Sequence, residues 1–168
     1  IDQENYRWSP RERKLLKELV KIVPSFVMKS KADAVSQAEI YRNAYAISIC
    51  HSEGIASPTV VGAQAANELL DIRGVKASFV LTEYQNKLFF SARSIDEVNV
   101  QVIMERMGGG GHLTMAGAQT KGIDLEEGAR RLKQAIDEYY DTLEDKEEPK
   151  ALPAPDPGPV QMVPPEEK

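Results

Sequence analysis

Four consecutive glycines, in RMGGGGHLTMAGA at 106–118, constrain what this chain can fold into more than any other stretch. Glycine loses the most backbone freedom on ordering, so a folded segment keeps four in a row only where bare main chain is needed. Gly108 has an ordinary explanation. It follows the helical pattern SIDEVNVQVIMERM and ends it in a left-handed conformation. Gly109, Gly110 and Gly111 lack that explanation. Bare backbone lets several N–H groups converge into a nest that binds an anion. The next stretch, HLTMAGAQTKG, reads as a short helix running into an edge strand, and that helix would add its positive end. His112, at the rim, is placed to donate to a phosphate or to stack on a base. The competing reading is a hinge with no ligand, and the glycines alone do not choose.

A second stretch bears on the choice. KLFFSAR follows ASFVLTEY after Gln85 and Asn86, which predicts an antiparallel hairpin. Ser91-Ala92-Arg93-Ser94 is expected to end a strand and open a helix, the place where open α/β sheets commonly bind ligands. Arg93 can fork onto a phosphate, with Ser94 and the first helical amides as further donors. The alternative is that Arg93 pairs with Glu97 or Asp96, while Ser94 merely caps in a box with Glu97. Asn99, in the first turn, either reaches a base edge or is solvated. Met115 and Ala116 are read as close packing, and Gly117 as a point of backbone approach. His51 is read as bland. Cys50, ending the apolar run YAISIC, is read as a buried core thiol.

The remaining elements follow from caps and periodicity. Ser9, Pro10 and Glu12 start a capped helix with Leu15, Leu16, Leu19, Val20 and Val23 as its apolar stripe, and Pro24 is expected to stop it. Residues 25–42 read as a helical connector. YAISIC reads as a buried strand, SPTVVGAQAANELLDIRG as a helix stopped by Gly74, and DLEEGARRLKQAIDEYYDTL as an amphipathic helix capped by Asp124. The order strand, helix, strand, strand, helix, helix assigns the fold class α/β, a small mixed β-sheet flanked by helices. It is expected to occupy 44–146, after a helical connector at 1–43 and before a Pro-rich acidic tail at 147–168. Seven of the ten prolines lie in that tail, too poor in apolar surface to offset its ordering entropy, so it is expected to be disordered.

Charge narrows the partners. Eight acids against three lysines from Asp141 onward account for the net charge of −5, so the remainder is close to neutral. That argues against gripping duplex nucleic acid through a basic surface and leaves a small anion held by local groups. No run is long and apolar enough to span a bilayer. With only two histidines and no acid pairs at ligand spacing near them, neither a metal site nor a catalytic centre is readable in the chain.

SARS, the helix with Asn99, and GGGGH at 108–112, preceded by AANELLDIRGVKASFVL, resemble the C-terminal accessory domain of the DHH phosphoesterases. Within that family the resemblance is to the cyclic-di-AMP phosphodiesterases, and it spans about Tyr41 to Tyr140. It implies that Ser91, Arg93 and Ser94 hold a nucleotide and that Gly109, Gly110, Gly111 and His112 bind its phosphate or base. With Asn99 and Gly108 these form the expected binding set. The implied ligand is cyclic di-AMP or a linear dinucleotide. Two manganese ions are implied in a separate DHH catalytic domain of the same polypeptide, no cofactor in this chain, and no hydrolysis by this chain alone. A related reading is an oligoribonuclease acting on very short RNA. A reading from another class is a non-catalytic interaction module recruiting partners through the first helix and the tail. The stripe on that helix leaves a homodimer open. Ile1 fits a chain cut beyond the catalytic domain, cytoplasmic, with its parent held at the membrane by upstream segments.

Overall fold

Two neighbouring strands carry most of the core, one buried on both faces and the other on alternate residues. The computed structural model describes residues 9–95 and 97–147. Strand β3 (Ala77–Tyr84) and strand β4 (Lys87–Ser94) form the expected hairpin, turned by Gln85 and Asn86 at φ 51° and 58°. Both central residues sit in the left-handed region, the geometry that matches the strands' own twist.

Strand β2 (Tyr45–Cys50) runs parallel to β3, joined to it by helix α2 (Pro58–Leu69). Strand β1 (Glu39–Tyr41) pairs antiparallel outside β2, and strand β6 (Met115–Lys121) pairs antiparallel with β4. The three-residue strand β5 (Gly110–His112) lies outside β6, so the order is β1-β2-β3-β4-β6-β5. Helix α1 (Pro10–Ser36) precedes the sheet, helix α3 (Val100–Arg106) follows β4, and helix α4 (Leu125–Glu147) follows β6. The mixed sheet flanked by helices is the fold class expected from the sequence.

On one face Phe79, Leu81, Leu88, Phe90 and Ala92 pack with Ile103 and Met104 of α3 and Leu132 and Ile136 of α4. On the other, Ala46, Cys50 and Val80 pack with Ala65, Ala66 and Leu69 of α2 and Ala34 of α1. Cys50 is 1% exposed, and burial pushes its thiol pKa upward, as a core thiol requires. Ser48 and Ser78 are buried on this second face; their hydroxyls donate to the carbonyls of Ala34 and Ala66.

Several local expectations are corrected. Helix α1 continues through Pro24 to Ser36. An interior proline costs about 3 kcal/mol, but the turns beyond it are anchored by buried Ala34 and by the Lys31–Glu68 ion pair at 2.6 Å. Leu15 is 57% exposed, while the side chains of Leu16, Leu19, Val20 and Val23 lie outside the described residues. The expected connector contains β1, whose pairing with β2 is a non-local event that its own three residues do not signal. No short helix follows the glycines: Gly110 to His112 form a strand, and β6 is an interior strand rather than an edge. The proline-rich segment 148–168 lies outside the described residues.

Candidate functional site

A single helix is about 10 Å wide and strands are about 4.8 Å apart, so one helix covers roughly two strands. Helix α2 packs on β2, β3 and the near side of β4, leaving that face of β6 and β5 open. Because Leu88, Phe90 and Ala92 of β4 point to the α3/α4 core, the alternate residues Phe89, Ser91 and Arg93 point to the open side.

Strand register then builds the site. Arg93 is opposite Met115, which is opposite His112; Ser91 is opposite Gly117, which is opposite Gly110; Phe89 is opposite Gln119. Directly opposed residues share a face, so these make three parallel rows on one surface. The middle row has almost no side chain. Thr59 of α2 walls the Phe89 end, and an open groove of about 390 Å³ is lined by Thr59, Phe89, Ser91, Gly108, Gly109, Gly117 and Gln119.

At the other end, Arg93 is half-buried. Its Nε donates to Asn67 Oδ1 of α2 at 3.0 Å, and its Nη1 donates to the Ala92 carbonyl at 2.8 Å. Burial lowers its pKa from the usual guanidinium range. Among the described residues no carboxylate pairs with it and Nη2 has no partner; Glu97 is taken by Lys76 at 2.5 Å. The chain therefore holds a partly desolvated positive charge on the open face by neutral anchors, leaving one edge of the fork unused.

The four glycines serve different ends. Gly108, at φ 80°, closes α3, and its amide donates to the Glu105 carbonyl at 3.0 Å. Gly109 donates to the Met104 carbonyl at 2.8 Å, and a Cβ there would lie 2.1 Å from the Gly117 carbonyl oxygen. A Cβ on Gly111, at φ 149°, would lie 2.5 Å from the Ala116 Cα. These three glycines are demanded by the chain itself. At Gly110 a Cβ would meet nothing within 4 Å, and its φ lies outside the left-handed region. The fold has no use for a glycine there.

The convergent nest is thus corrected in part: two of its amides are consumed by the end of α3, and no helix N-terminus points at the run. Two expected site residues are not brought to the groove. Ser94 is 6% exposed on the opposite face, where its hydroxyl donates to the Val98 carbonyl at 2.6 Å. It is not the helix cap; Asn99 is, its side chain accepting from the Val102 amide at 3.3 Å, so Asn99 sits at the N-cap rather than in the first turn. Helix α3 starts at Val100 because β4 runs on through Ser94. Ser91, Arg93, Gly110 and His112 are brought together.

Sequence reasoning missed Phe89, Asn67, Thr59 and the exposure of Met115, which stands 52% exposed rather than packed; Ala116 beside it is buried as expected. The period-two alternation of KLFFSARS was the available signal for Phe89. His51 is exposed at the far end of β2, away from this surface.

A family model described as the DHHA1 domain matches residues 43–142. The chain is 44% identical over 119 residues to the cyclic-di-AMP phosphodiesterase PdeA of Listeria monocytogenes, covering 70% of this chain and 18% of that protein. It is 41% identical over 131 residues to the cyclic-di-AMP phosphodiesterase GdpP of Bacillus subtilis, covering 77% of this chain and 19% of that protein. Among solved structures, an exopolyphosphatase-related protein from Bacteroides fragilis superposes with a TM-score of 0.61 at 22% identity, covering 71% of this chain and 36% of that one, a likeness of fold. The chain spans less than a fifth of the length of the two curated relatives.

Proposed function

We propose a function on one premise: the chain belongs to the DHHA1 domain family. It is the nucleotide-holding module of a cyclic-di-AMP phosphodiesterase, and the hydrolysis is performed by a separate DHH domain of the same polypeptide. One observation carries the reading. Gly110 is a glycine the fold does not require, on the open face, in a row with Ser91 and Gly117 and next to the row of Arg93 and His112. A nearly side-chain-free strip beside a guanidinium with no carboxylate partner suits a phosphodiester lying flat on the backbone.

Each residue then has a task. Arg93 offers Nη2 and its charge to the phosphodiester, an attraction strengthened by partial burial. Ser91 and the imidazole of His112 add hydrogen-bonding groups, and the middle row lets the ligand approach to main-chain distance. Ser94 and Asn99 support the site from behind by fixing the end of β4 and the start of α3. The result is orientation and charge neutralisation of the bond to be cut.

The two manganese ions implied by the family do not fit this part of the enzyme. Among the described residues no three His, Cys, Asp or Glu side chains stand close enough to share a metal.

The test is titration calorimetry of this chain with cyclic di-AMP. Gly110→Ala keeps the wild-type melting profile and weakens binding by about tenfold, a loss of roughly 1.4 kcal/mol. An unchanged dissociation constant, or no binding by the wild-type chain at millimolar ligand, overturns the reading.

A further inference from the structure

The three rows on the open face are not equivalent, and their order along the strands carries information. The central row, Ser91–Gly117–Gly110, carries no side chain but the short hydroxymethyl of Ser91. The row on one side places Met115, 52% exposed, between Arg93 and His112. The row on the other side places half-buried Phe89 beside Gln119, in the groove that Thr59 of α2 also lines. Each outer row therefore offers one large apolar surface flanked by hydrogen-bonding side chains, and the trough between them offers none. The exposed Met115 is not explained by packing, because the core lies on the opposite side of β4 and β6, and the half-buried Phe89 keeps part of its surface on the wall of the open groove.

Distances set what can lie there. Residues two apart on a strand are about 6.8 Å apart, so Phe89 and Met115 stand about 13 Å apart along the sheet. Stacked bases rise only about 3.4 Å per step. A ligand with its phosphodiester over the bare row cannot reach both outer rows with stacked bases; it reaches them with its bases splayed. Flat heteroaromatic rings gain from lying on a Phe face or a Met thioether, and the gain tolerates any base.

Resting on the function proposed above, we propose that the open face, from the groove at Phe89 to the row of Arg93 and His112, is a two-base site: Met115 and Phe89 are separate base shelves on either side of a phosphate trough. The ligand class is a dinucleotide with unstacked bases, and a mononucleotide fills only one shelf. Arg93 and His112 at the Met115 shelf, and Gln119 and Thr59 at the Phe89 shelf, supply the edge contacts that orient each base.

The experiment titrates the wild-type chain, Met115→Ala, Phe89→Ala and the double variant with cyclic di-AMP, a linear diadenylate and AMP. Each single variant weakens both dinucleotides about five- to a hundred-fold. The double variant multiplies the two losses, because the shelves are too far apart to couple. AMP responds to one of the substitutions and not to the other. Phe89→Leu, which keeps apolar volume without the flat ring, guards against a folding defect and retains part of the loss. In the unsubstituted chain, the Met115 methyl proton resonance moves upfield when a dinucleotide binds, because a base ring lies over it. The inference is overturned if both single variants bind dinucleotides within twofold of wild type, or if AMP loses affinity in both. If Gly110→Ala still weakens binding in that case, the phosphate trough stands and only the shelves fall; if Gly110→Ala is also silent, the underlying reading falls with them.

Discussion

Strands β4 and β6 have two faces made from alternate residues of the same few stretches, and the faces have opposite fates. On one, Phe90, Ala92, Ala116 and Ala118 are sealed under α3 and α4. On the other, one residue along in each case, Phe89, Ser91, Arg93, Met115 and Gly117 meet α2 only at its flank and otherwise stand open. Composition does not separate them: each carries a phenylalanine and small residues. What separates them is which helix reaches that far across the sheet. The closed face stabilises the fold, and the open face is left free to bind.

Substitutions that treat the two faces alike sharpen or break this contrast. The largest effect is expected from the adjacent phenylalanines. Phe90→Ala should lower unfolding stability by about 3–5 kcal/mol, against about 1–1.5 kcal/mol for the half-buried Phe89→Ala, as read from denaturant midpoints. Equal losses would mean the open face is as load-carrying as the closed one. Next comes Arg93→Ala, which should weaken cyclic di-AMP binding by about 1.5–3 kcal/mol, the worth of a hydrogen bond to a charged group. Its cost in stability should be smaller, about 0.5–1.5 kcal/mol, since the two anchors lost, to Asn67 and the Ala92 carbonyl, are partly exposed and water replaces them. A variant that unfolds without losing affinity would make Arg93 a structural residue. The smallest difference is within the glycine run. Gly109→Ala forces a Cβ onto the Gly117 carbonyl and should destabilise by about 1–3 kcal/mol, whereas Gly110→Ala should stay within about 0.5 kcal/mol of wild type in thermal unfolding. Identical melting of the two would erase the distinction between glycines kept for the fold and the glycine kept for the ligand.

Much of the architecture was legible beforehand because it rests on local chemistry. The Gln85-Asn86 turn, the α4 start with the Asp124 side chain accepting from the Glu127 amide at 2.8 Å, and the left-handed end of α3 at Gly108 need only near neighbours. The failures are equally specific. Ser94 followed three residues later by Glu97 has the pattern of a capping box, yet the ladder to β3 keeps Ser94 in β4 and hands the cap to Asn99. Met115 resembles a packing residue by type, but its place opposite Arg93 puts it on the uncovered side. Beyond the helix end at Gly108, the glycines suggested one shared purpose, and the structure divides them between two close backbone approaches and one position the fold does not demand.

The sequence by itself determined the elements, their caps and turns, and the presence of an arginine and a bare-backbone strip as the places to look. Only the tertiary structure decided that these become neighbours, which of the four glycines the fold itself does not demand, and that the surface they share is uncovered. The physical reason is that strand register and the reach of a covering helix are set by pairings between residues distant in the chain, whereas caps and turns are set within a few residues.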